Sequence, residues 1–419
     1  MRSIFSVVVV GFLLGFPVQA AEFVVTSEQS IAEAIKQAAA GDTILVQPGH
    51  YAEHLVITKP LHLRGLNCPT LDGGNTGDII RIQSPDVFIE GFIISNSGAD
   101  LTAQNAGIYL EPGSDRAIIR DNIINYTLFG LWIEKVKDIQ VIGNNITGMR
   151  DLPSTKRGNG IELYNSNGAQ IINNHISFTR DGIFVEVSNH SLFLGNRLHH
   201  LRYGTHYMNS NDNVWEDNES YFNRGGLALM EVRNQTVRNN RTWGNSDHGI
   251  MLRTIQDSLI ENNVVADNGR GFFIYDAEYN VLHNNLIVGN HIGIHLWAGS
   301  IHNKVEGNDL IQNREQIKYV ASKDEFWGEE TGNYWSNYIG WDRNGDSVGD
   351  VPYDANDLVD QLTWQYPTVK LLLNSPAVQT LRLVARQFPL LRATSIVDRH
   401  PRMQPFNKNW SIWLEKKRH

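Results

Sequence analysis

The sequence predicts an all-β fold, a right-handed parallel β-helix (solenoid) built from stacked turns of about 22 residues. Two columns of repeated residues carry this prediction. Glycines that precede alternating residues recur with one step of 30 residues among steps of 22 or 23, at Gly107, Gly130, Gly160, Gly182, Gly204, Gly226, Gly249, Gly271 and Gly293. An asparagine follows each glycine 14 or 15 residues later, at Asn122, Asn145, Asn174, Asn196, Asn218, Asn240, Asn263, Asn285 and Asn308. Asparagine tolerates left-handed backbone geometry and its amide can hydrogen-bond identical neighbours, so this column predicts an internal ladder.

Short runs with a period of two predict the strands between the turns. In one of them, Ile161 and Leu163 are expected to point inward, and Glu162 and Tyr164 outward. One turn cannot bury its apolar face alone, so the turns must stack. A leucine-rich repeat has a similar period, but it requires repeated leucines and a helical return segment, which this sequence lacks.

Residues 1–20 are expected to be a signal peptide. Arg2 precedes an apolar run from Ile4 to Phe16, and the segment ends in small residues at Val18 and Ala20. The run is shorter than the ~20 residues that a membrane-spanning helix needs. The mature protein is therefore expected to start at Ala21 and to reside in the periplasm.

Residues 21–60 are expected to form an N-terminal cap and the first strands, with an amphipathic helix that begins near Ser30 and ends before Gly41. The turns are expected to occupy residues 61–330 and to number about eleven to twelve, at ~4.8 Å per turn. The long step in the glycine column predicts a loop from Arg150 to Arg157.

Residues two and four places after each glycine are predicted to point outward from one continuous sheet. These pairs are Tyr109/Glu111, Trp132/Glu134, Glu162/Tyr164, Phe184/Glu186, His206/Met208, Ala228/Met230, Met251/Arg253, Phe273/Tyr275 and His295/Trp297. The face carries aromatic rings, carboxylates and methionines where a solvated strand would normally carry Lys, Thr, Ser or Asn.

Three of the five methionines that follow the predicted signal peptide lie in this face. Met208 and Met230 are expected on adjacent turns, with His206 beside Met208 and Met251 beyond Ala228, so that a hollow opens over Ala228. Thioether and imidazole together select Cu(I), whereas Zn²⁺ or Ca²⁺ would require thiolates or several carboxylates. The sequence thus predicts a copper site.

Two further residues, Glu186 and His295, are additional candidate copper ligands. The alternative is that flexible methionines form an adhesive patch for a partner protein, and a docking patch around a transferable ion would satisfy both interpretations. Five histidines are expected in turns or irregular positions with plain polar roles: His199, His200, His248, His283 and His291. Cys68, the only cysteine, is expected to be a small buried residue.

The same face permits a second function, an exported polysaccharide hydrolase or lyase. Aromatic residues would stack on sugar rings and carboxylates would act as paired acids; the candidates are Tyr109, Trp132, Tyr164, Glu134, Glu162 and Glu186. No compact pair of aspartates with a neighbouring Lys or Arg recurs on the face, and acid hydrolysis gives no reason for clustered methionines. The sequence favours a protein that is not an enzyme.

Residues 331–374 are expected to form a C-terminal loop or cap. Asp342, Asn344, Asp346 and Asp350 have the 1, 3, 5, 9 spacing of a calcium loop. Glycines fall at the fourth and eighth positions and no glutamate stands at the twelfth, so a metal-free turn is the alternative to bound Ca²⁺.

Residues 375–419 are expected to form a basic amphipathic tail. A helix is predicted from Pro376 to Phe388, with Pro389 as its stop, and residues 370–419 hold ten basic and two acidic residues. The core of the turns is expected to be complete by Asn308, which would make the tail dispensable for folding. The helix either caps the solenoid or docks on a membrane subunit.

Several segments together resemble the NosD family. They are the motif from Gly332 to Tyr338, the segment from Asp342 to Tyr353, the turns with their asparagine column, and the tail segments 375–379 and 398–401. The resemblance covers nearly all of the mature chain. It implies a periplasmic component of an ABC-type complex with an ATPase subunit and a membrane permease. It also implies copper supply from a lipoprotein chaperone to nitrous oxide reductase, with membrane contact through partner subunits. No nucleic-acid partner is expected for a chain with a net charge of −9.

Overall fold

A computed structural model of the chain describes residues 21–297, 299–320, 325–356, 375–387 and 395–415, together with residues 359, 362–363, 366, 368 and 372. Three long sheets of parallel strands run through the described ranges, and each turn adds one strand to each sheet. This confirms the predicted parallel β-helix. The predicted signal peptide at residues 1–20, the predicted helix end at 388–389 and the last basic residues, 416–418, lie outside the described residues.

The strands are listed here by sheet, in chain order. Sheet 1 contains Glu22–Val25, Thr43–Val46, His62–Gly65, Phe88–Glu90, Ile118–Arg120, Gln140–Ile142, Gln170–Ile172, Leu192–Leu194, Val214–Glu216, Thr236–Arg238, Leu259–Glu261, Val281–His283 and Lys304–Glu306. Sheet 2 contains Leu55–Ile57, Ile80–Ile82, Ala106–Leu110, Phe129–Glu134, Ile161–Tyr164, Asp181–Glu186, Tyr203–Met208, Gly225–Arg233, His248–Gln256, Arg270–Tyr275, Ile292–Trp297 and Glu315–Val320. Sheet 3 contains His50–Tyr51, Thr70–Asp72, Ile93–Ser95, Ile123–Thr127, Asn145–Gly148, His175–Ser177, Arg197–His199, Glu219–Tyr221, Arg241–Trp243, Val264–Ala266, Leu286–Val288, Asp309–Ile311 and Tyr334–Trp335.

The solenoid has more turns than the glycine column predicts. Sheets 1 and 3 each contain 13 strands within the described part of the chain, so the expected eleven to twelve turns is too few. The early turns, before Gly107, were undercounted because they stack without the glycine and asparagine signature. Side chains from all three sheets fill the interior. In sheet 1, for example, the fully buried Ile171 lies between Val141 and Phe193.

The predicted asparagine ladder is present. Asn218 shows its repeating pattern: its backbone N–H and its Nδ2 both donate to Asn240 Oδ1, at 3.0 and 2.9 Å, and Nδ2 also donates to Phe193 O at 2.9 Å. Every buried amide in this column is thereby satisfied from the adjacent turns. The ladder members are Asn122, Asn144, Asn174, Asn196, Asn218, Asn240, Asn263, Asn285, Asn308 and Asn333.

One predicted ladder member is wrong. Asn144 holds the ladder position, and Asn145 is an exposed residue that begins a strand of sheet 3. Each ladder asparagine from Asn122 to Asn308 follows a residue with positive φ; in this turn it is Gly143, with φ 66°. Because two asparagines are adjacent here, spacing from the glycine column selects the wrong one. Cys68 is also a correction: it has positive φ and is exposed, so the predicted buried role is wrong.

A short helix covers the first turn, as predicted. Helix α1, Ile31–Gln37, begins after Ser30, whose Oγ accepts from Glu33 N at 3.2 Å, and buries Ile31 and Ile35. The predicted loop between Arg150 and Arg157 is also present. It contains a short 3-10 helix, Ser154–Lys156, and the Arg157 guanidinium closes it by donating to Leu152 O and Arg150 O.

The other end of the solenoid is covered by sheet 4, which joins Glu325–Trp327, Tyr353–Asp354 and Ile396–Asp398. Helix α2, Pro376–Gln387, begins at the predicted proline, and helix α3 spans Ile412–Glu415. No helix in the described ranges is long and apolar enough to cross a membrane.

The C-terminal residues are integrated into the last turns. Arg402 is buried and donates to Asp309 Oδ1 at 2.7 Å, and Asp398 Oδ2 accepts from Asn333 and from Trp335 Nε1. Further along the chain, Leu414 packs on the apolar face of sheet 3 with two neighbouring tryptophans. The expectation that the core is complete by Asn308 is therefore wrong, because residues 396–415 contribute to the packing of the last turns. That residues 375–419 are dispensable for folding stays a prediction.

Candidate metal site on sheet 2

The strand register of sheet 2 agrees with the alignment predicted from the glycines. His206 pairs with Ala228, Met208 pairs with Met230, and Ala228 pairs with Met251. The imidazole and the three thioethers therefore lie on three consecutive strands, on the outer side of the solenoid core. The backbone geometry for the predicted site is present.

The predicted open hollow over Ala228 is absent, because side chains fill this space. Ala228 is fully buried, and Met230 and Met251 are only 8% and 9% exposed. These residues form an apolar cluster, separate from the core, with Tyr203, Met208 and Phe273 packed against it. We call these six residues the methionine cluster. Long, flexible thioether side chains fill the space above the small alanine, so Met230 and Met251 are largely excluded from water, whereas Met208 is partly exposed.

Ionic contacts fix the orientation of His206. Its Nδ1 lies 3.1 Å from Asp181 Oδ2, and the Arg202 guanidinium binds the same carboxylate. Burial alone would raise the pKa of Asp181, but hydrogen bonds from Arg202 and His206 outweigh it and hold that pKa below its usual range. Arg202 Nη2 also lies 3.2 Å from this nitrogen. A carboxylate can only accept, so the contact with Asp181 places an N–H on Nδ1 and leaves Nε2 outside this contact. Histidines that ligate metals are commonly oriented by a carboxylate in this way.

His248 is a candidate that sequence reasoning missed. The predicted turn position is wrong for His248, which begins the strand that carries Met251 and is 1% exposed. It is also wrong for His199 and His283, each of which ends a strand. Neither ring nitrogen of His248 has a hydrogen-bond partner among the described residues; the nearest carboxylate oxygen, Asp247 Oδ2, is 3.7 Å from Nδ1. Burial lowers the pKa of His248, so the ring is neutral. Its ring lies 5.6 Å from that of Tyr203, at the edge of the methionine cluster. Its place directly before Gly249, in the column of Asp181, is the signal that identifies it.

The two additional candidate ligands occupy different positions. Glu186 pairs with Met208 and therefore adjoins the cluster. Phe273 is one strand beyond Met251, and His295 pairs with Phe273 on the strand after that. The His295 ring lies against the rings of Phe273 and Trp297. Burial, with Lys318 and Arg270 nearby, lowers the pKa of His295 to about 4. The geometry brings Glu186 to the cluster and leaves His295 behind Phe273.

In the described part of the chain, no group of three or more His, Cys, Asp and Glu side chains is arranged to hold a metal ion. A site on sheet 2 would therefore depend on its thioethers. In the predicted calcium loop, the Asp342 carboxylate accepts from Gly345 N and Ser347 N, and the Asp350 carboxylate accepts from Arg343 N. Asp346 likewise accepts from the amides of its own loop. These contacts suffice for a metal-free turn, and Ca²⁺ binding stays a prediction.

The residues proposed for sugar chemistry lie on four consecutive strands of sheet 2, and Tyr109 is enclosed by its neighbours. Tyr109 is 8% exposed and stacks on Trp132, while its hydroxyl donates to Glu134 at 3.1 Å. Burial, assisted by Glu134, raises the pKa of Tyr109 to about 12. Tyr109 thus presents no free face to a sugar ring.

Glu162 has the most perturbed carboxyl group on this face. It is buried and accepts a hydrogen bond from Asn159. Burial, with the negative charges of Asp181 and Glu186, raises the pKa of Glu162 to about 8. This carboxyl is therefore protonated at neutral pH, while Asp181 is ionised and bound by Arg202.

Comparisons with solved structures show the fold. The Azotobacter vinelandii mannuronan C-5 epimerase AlgE6 A-module has a TM-score of 0.59 at 14% identity and covers 74% of this chain and 98% of its own. The Dettilon tailspike protein has a TM-score of 0.57 at 15% identity, over 70% of this chain and 64% of its own. At these identities the likeness concerns the β-helix alone.

Sequence comparisons find relatives that are more similar to this chain than the solved structures are. A family model described as "Periplasmic copper-binding protein (NosD)" matches residues 142–340. Two curated relatives are each named "Probable ABC transporter binding protein NosD". The relative from Pseudomonas aeruginosa is 42% identical over 371 residues, which cover 85% of this chain and 87% of the relative. The relative from Stutzerimonas stutzeri is 39% identical over 372 residues, which cover 85% of each. With the expected β-helix present and similarity over nearly the full length of both relatives, the chain belongs to the NosD family of periplasmic copper-binding proteins.

Proposed function

We propose that this protein is the periplasmic component of an ABC-type complex and that it binds copper and hands it over for the assembly of nitrous oxide reductase. Within it, His206, Met208, Met230 and Met251 bind the cargo ion as Cu(I). The supporting observation is that three thioethers and an imidazole that contacts Asp181 lie on three consecutive strands. The family description supports copper as the metal.

The chemistry of this donor set suits a transferable ion. Thioethers are soft, uncharged ligands that discriminate against Zn²⁺ and Ca²⁺, and each binds weakly on its own. Because Met230 and Met251 are nearly buried, a bound ion would exchange water for sulfur and would be shielded from solvent. His248, beyond Tyr203, is a second neutral imidazole near the same cluster. A partner that offers stronger ligands could then withdraw the ion.

The proposed partners follow from the family. The names of both relatives support association with an ABC transporter, hence with a membrane permease and an ATPase subunit. We propose a lipoprotein chaperone as the copper donor and nitrous oxide reductase as the client. Membrane contact would be made through partner subunits, after export directed by residues 1–20.

The test of the copper site separates metal affinity from stability. Met208→Leu combined with Met230→Leu keeps size and apolarity while it removes two sulfur atoms. We expect Cu(I) affinity to fall about tenfold or more in an anaerobic competition titration, with the melting temperature nearly unchanged.

The matched control is Met149→Leu, which replaces a thioether buried in a different apolar cluster. It should leave Cu(I) affinity at the wild-type value. Unchanged affinity in the double variant would show that the methionines form a docking surface and do not bind the metal.

We also propose that the protein is not an enzyme, although Glu162 has the raised pKa that a general acid needs. Combined replacement of Glu134, Glu162 and Glu186 by glutamine should leave maturation of the reductase intact. Loss of maturation in a folded, copper-binding triple variant would restore the enzyme hypothesis, and turnover of a sugar polymer by the wild-type protein would support it directly.

A further inference from the structure

A histidine cluster lies on sheet 3, away from the methionine cluster. His175 and His199 are on neighbouring strands, two register positions apart, and His200 follows in the turn. The Nε2 atoms of His175 and His199 are 2.6 Å apart, and the Nδ1 atoms of His199 and His200 are also 2.6 Å apart. Three imidazoles therefore meet through their ring nitrogens.

The contacts between ring nitrogens decide which atoms of these rings can bind a metal ion. A neutral imidazole has one N–H and one lone pair. If His199 donates from Nδ1 to His200, its Nε2 lone pair faces His175 Nε2.

We propose that the Nε2 atoms of His175 and His199 chelate a divalent transition-metal ion, of the class of Zn²⁺ or Cu²⁺, with water in the remaining positions. Imidazole nitrogen suits these ions, whereas thioethers select Cu(I), so this site differs in chemistry from the methionine cluster. His200 is the positioning residue of this proposal, since a hydrogen bond from His199 Nδ1 to His200 Nδ1 leaves His199 Nε2 free to bind.

The geometry permits this with a small movement. At a metal–nitrogen distance of ~2.0–2.1 Å, two ligands of one ion lie roughly 2.9–3.4 Å apart, so the rings must separate by under ~1 Å. His175 is exposed and can make this movement, whereas His199 is held from its other side by the stacked ring of Tyr221, at 5.0 Å. With two protein ligands, the ion would be exchangeable.

The charges around the cluster set a limit on its affinity. Arg150 and Arg197 both contribute positive potential to these histidines. Salt screens such exposed charges, so Zn²⁺ affinity should rise with ionic strength, opposite to the trend for a carboxylate site.

The experiment is a titration of tag-free, full-length mature protein with Zn²⁺, followed by calorimetry and by competition with a chelator. The wild-type protein should bind one ion at this cluster. His175→Ala and His199→Ala should each weaken binding at least tenfold, and His200→Ala should weaken it by a smaller factor. His190→Ala, which replaces an exposed histidine elsewhere, should have no effect.

Two further measurements separate this site from the copper site. The Met208→Leu/Met230→Leu variant should bind Zn²⁺ as wild type does, and Cu²⁺ bound by the wild-type protein should show hyperfine coupling to two nitrogens in its EPR spectrum. If His199→Ala fails to fold, His199→Gln tests the same ligand. Unchanged Zn²⁺ affinity in the exposed His175→Ala variant, or absence of nitrogen coupling, would overturn the proposal.

Discussion

Replacing Asn144 by alanine should destabilise the solenoid far more than the same change at Asn145. The Asn144 side chain bonds both neighbouring turns. Its Oδ1 accepts from Asn122 N and Nδ2, at 3.0 and 3.1 Å, and its Nδ2 donates to Ile119 O and to Asn174 Oδ1, at 2.9 and 3.1 Å. All of this lies in the buried interior.

The expected magnitude follows from the groups that lose partners. Alanine at position 144 leaves the Asn122 N–H, one Asn122 side-chain N–H and the Ile119 carbonyl without the bonds described above. At ~1–3 kcal/mol for each of these three unsatisfied buried groups, the free energy of unfolding should fall by about 3–9 kcal/mol. At the exposed Asn145, the same replacement should change it by no more than ~0.5 kcal/mol.

Urea unfolding followed by far-UV circular dichroism measures this difference. Both variants have the same composition and differ by one position, so effects on the unfolded chain cancel to first order. Equal destabilisation by the two replacements would refute the assignment of Asn144 to the ladder, and greater destabilisation at Asn145 would support the spacing of the glycine column instead.

Two further predictions concern buried ionisable side chains. The folded-state pKa of Glu162 is raised to about 8, so its contribution to stability is complete below the unfolded-state pKa near 4.5 and is lost as the pH rises through 8. Glu162→Gln should therefore flatten the decline in unfolding free energy between pH 5 and pH 8, by at most on the order of 5 kcal/mol, and an unchanged decline in urea titrations would contradict the raised pKa. Arg402→Met should cost about 3–5 kcal/mol because it leaves the buried Asp309 carboxylate without its cation, whereas Arg399→Met at an exposed position should cost little. Similar melting temperatures for these two variants would show that the C-terminal segment is not integral to the last turns.

The periodic part of the fold could be predicted because it repeats. A glycine column fixes where each strand of sheet 2 begins, and the pairing of Met208 with Met230 follows from counting residues. Counting fails where the signature is locally ambiguous, as at the adjacent Asn144 and Asn145, or absent, as in the turns before Gly107. Counting repeats also cannot predict the contacts that the chain makes after the repeat ends. The buried position of Arg402 was therefore not predicted.

The site was only partly predictable for a related reason. Register places His206 and the methionines together, but it cannot show how long side chains pack, so the filled space above Ala228 was predicted as a hollow. His248 was missed because the columns considered were those two and four residues after each glycine. His248 lies in the column directly before the glycines. Asp181, which contacts His206 and Arg202, lies in the same column.

The asparagine ladder has a direction. Each amide donates to the next turn and accepts from the previous one, until Asn333 donates to Asp398 Oδ2, where the series stops. The link from Asn196 to Asn218 is the same as the link from Asn218 to Asn240, so an internal unit of 22 residues can be copied or removed while both ends keep their partners. The length of this solenoid can thus change in evolution by the insertion of whole 22-residue units in its middle. The Asp398 carboxylate would still accept the last hydrogen bond of the ladder in a longer molecule.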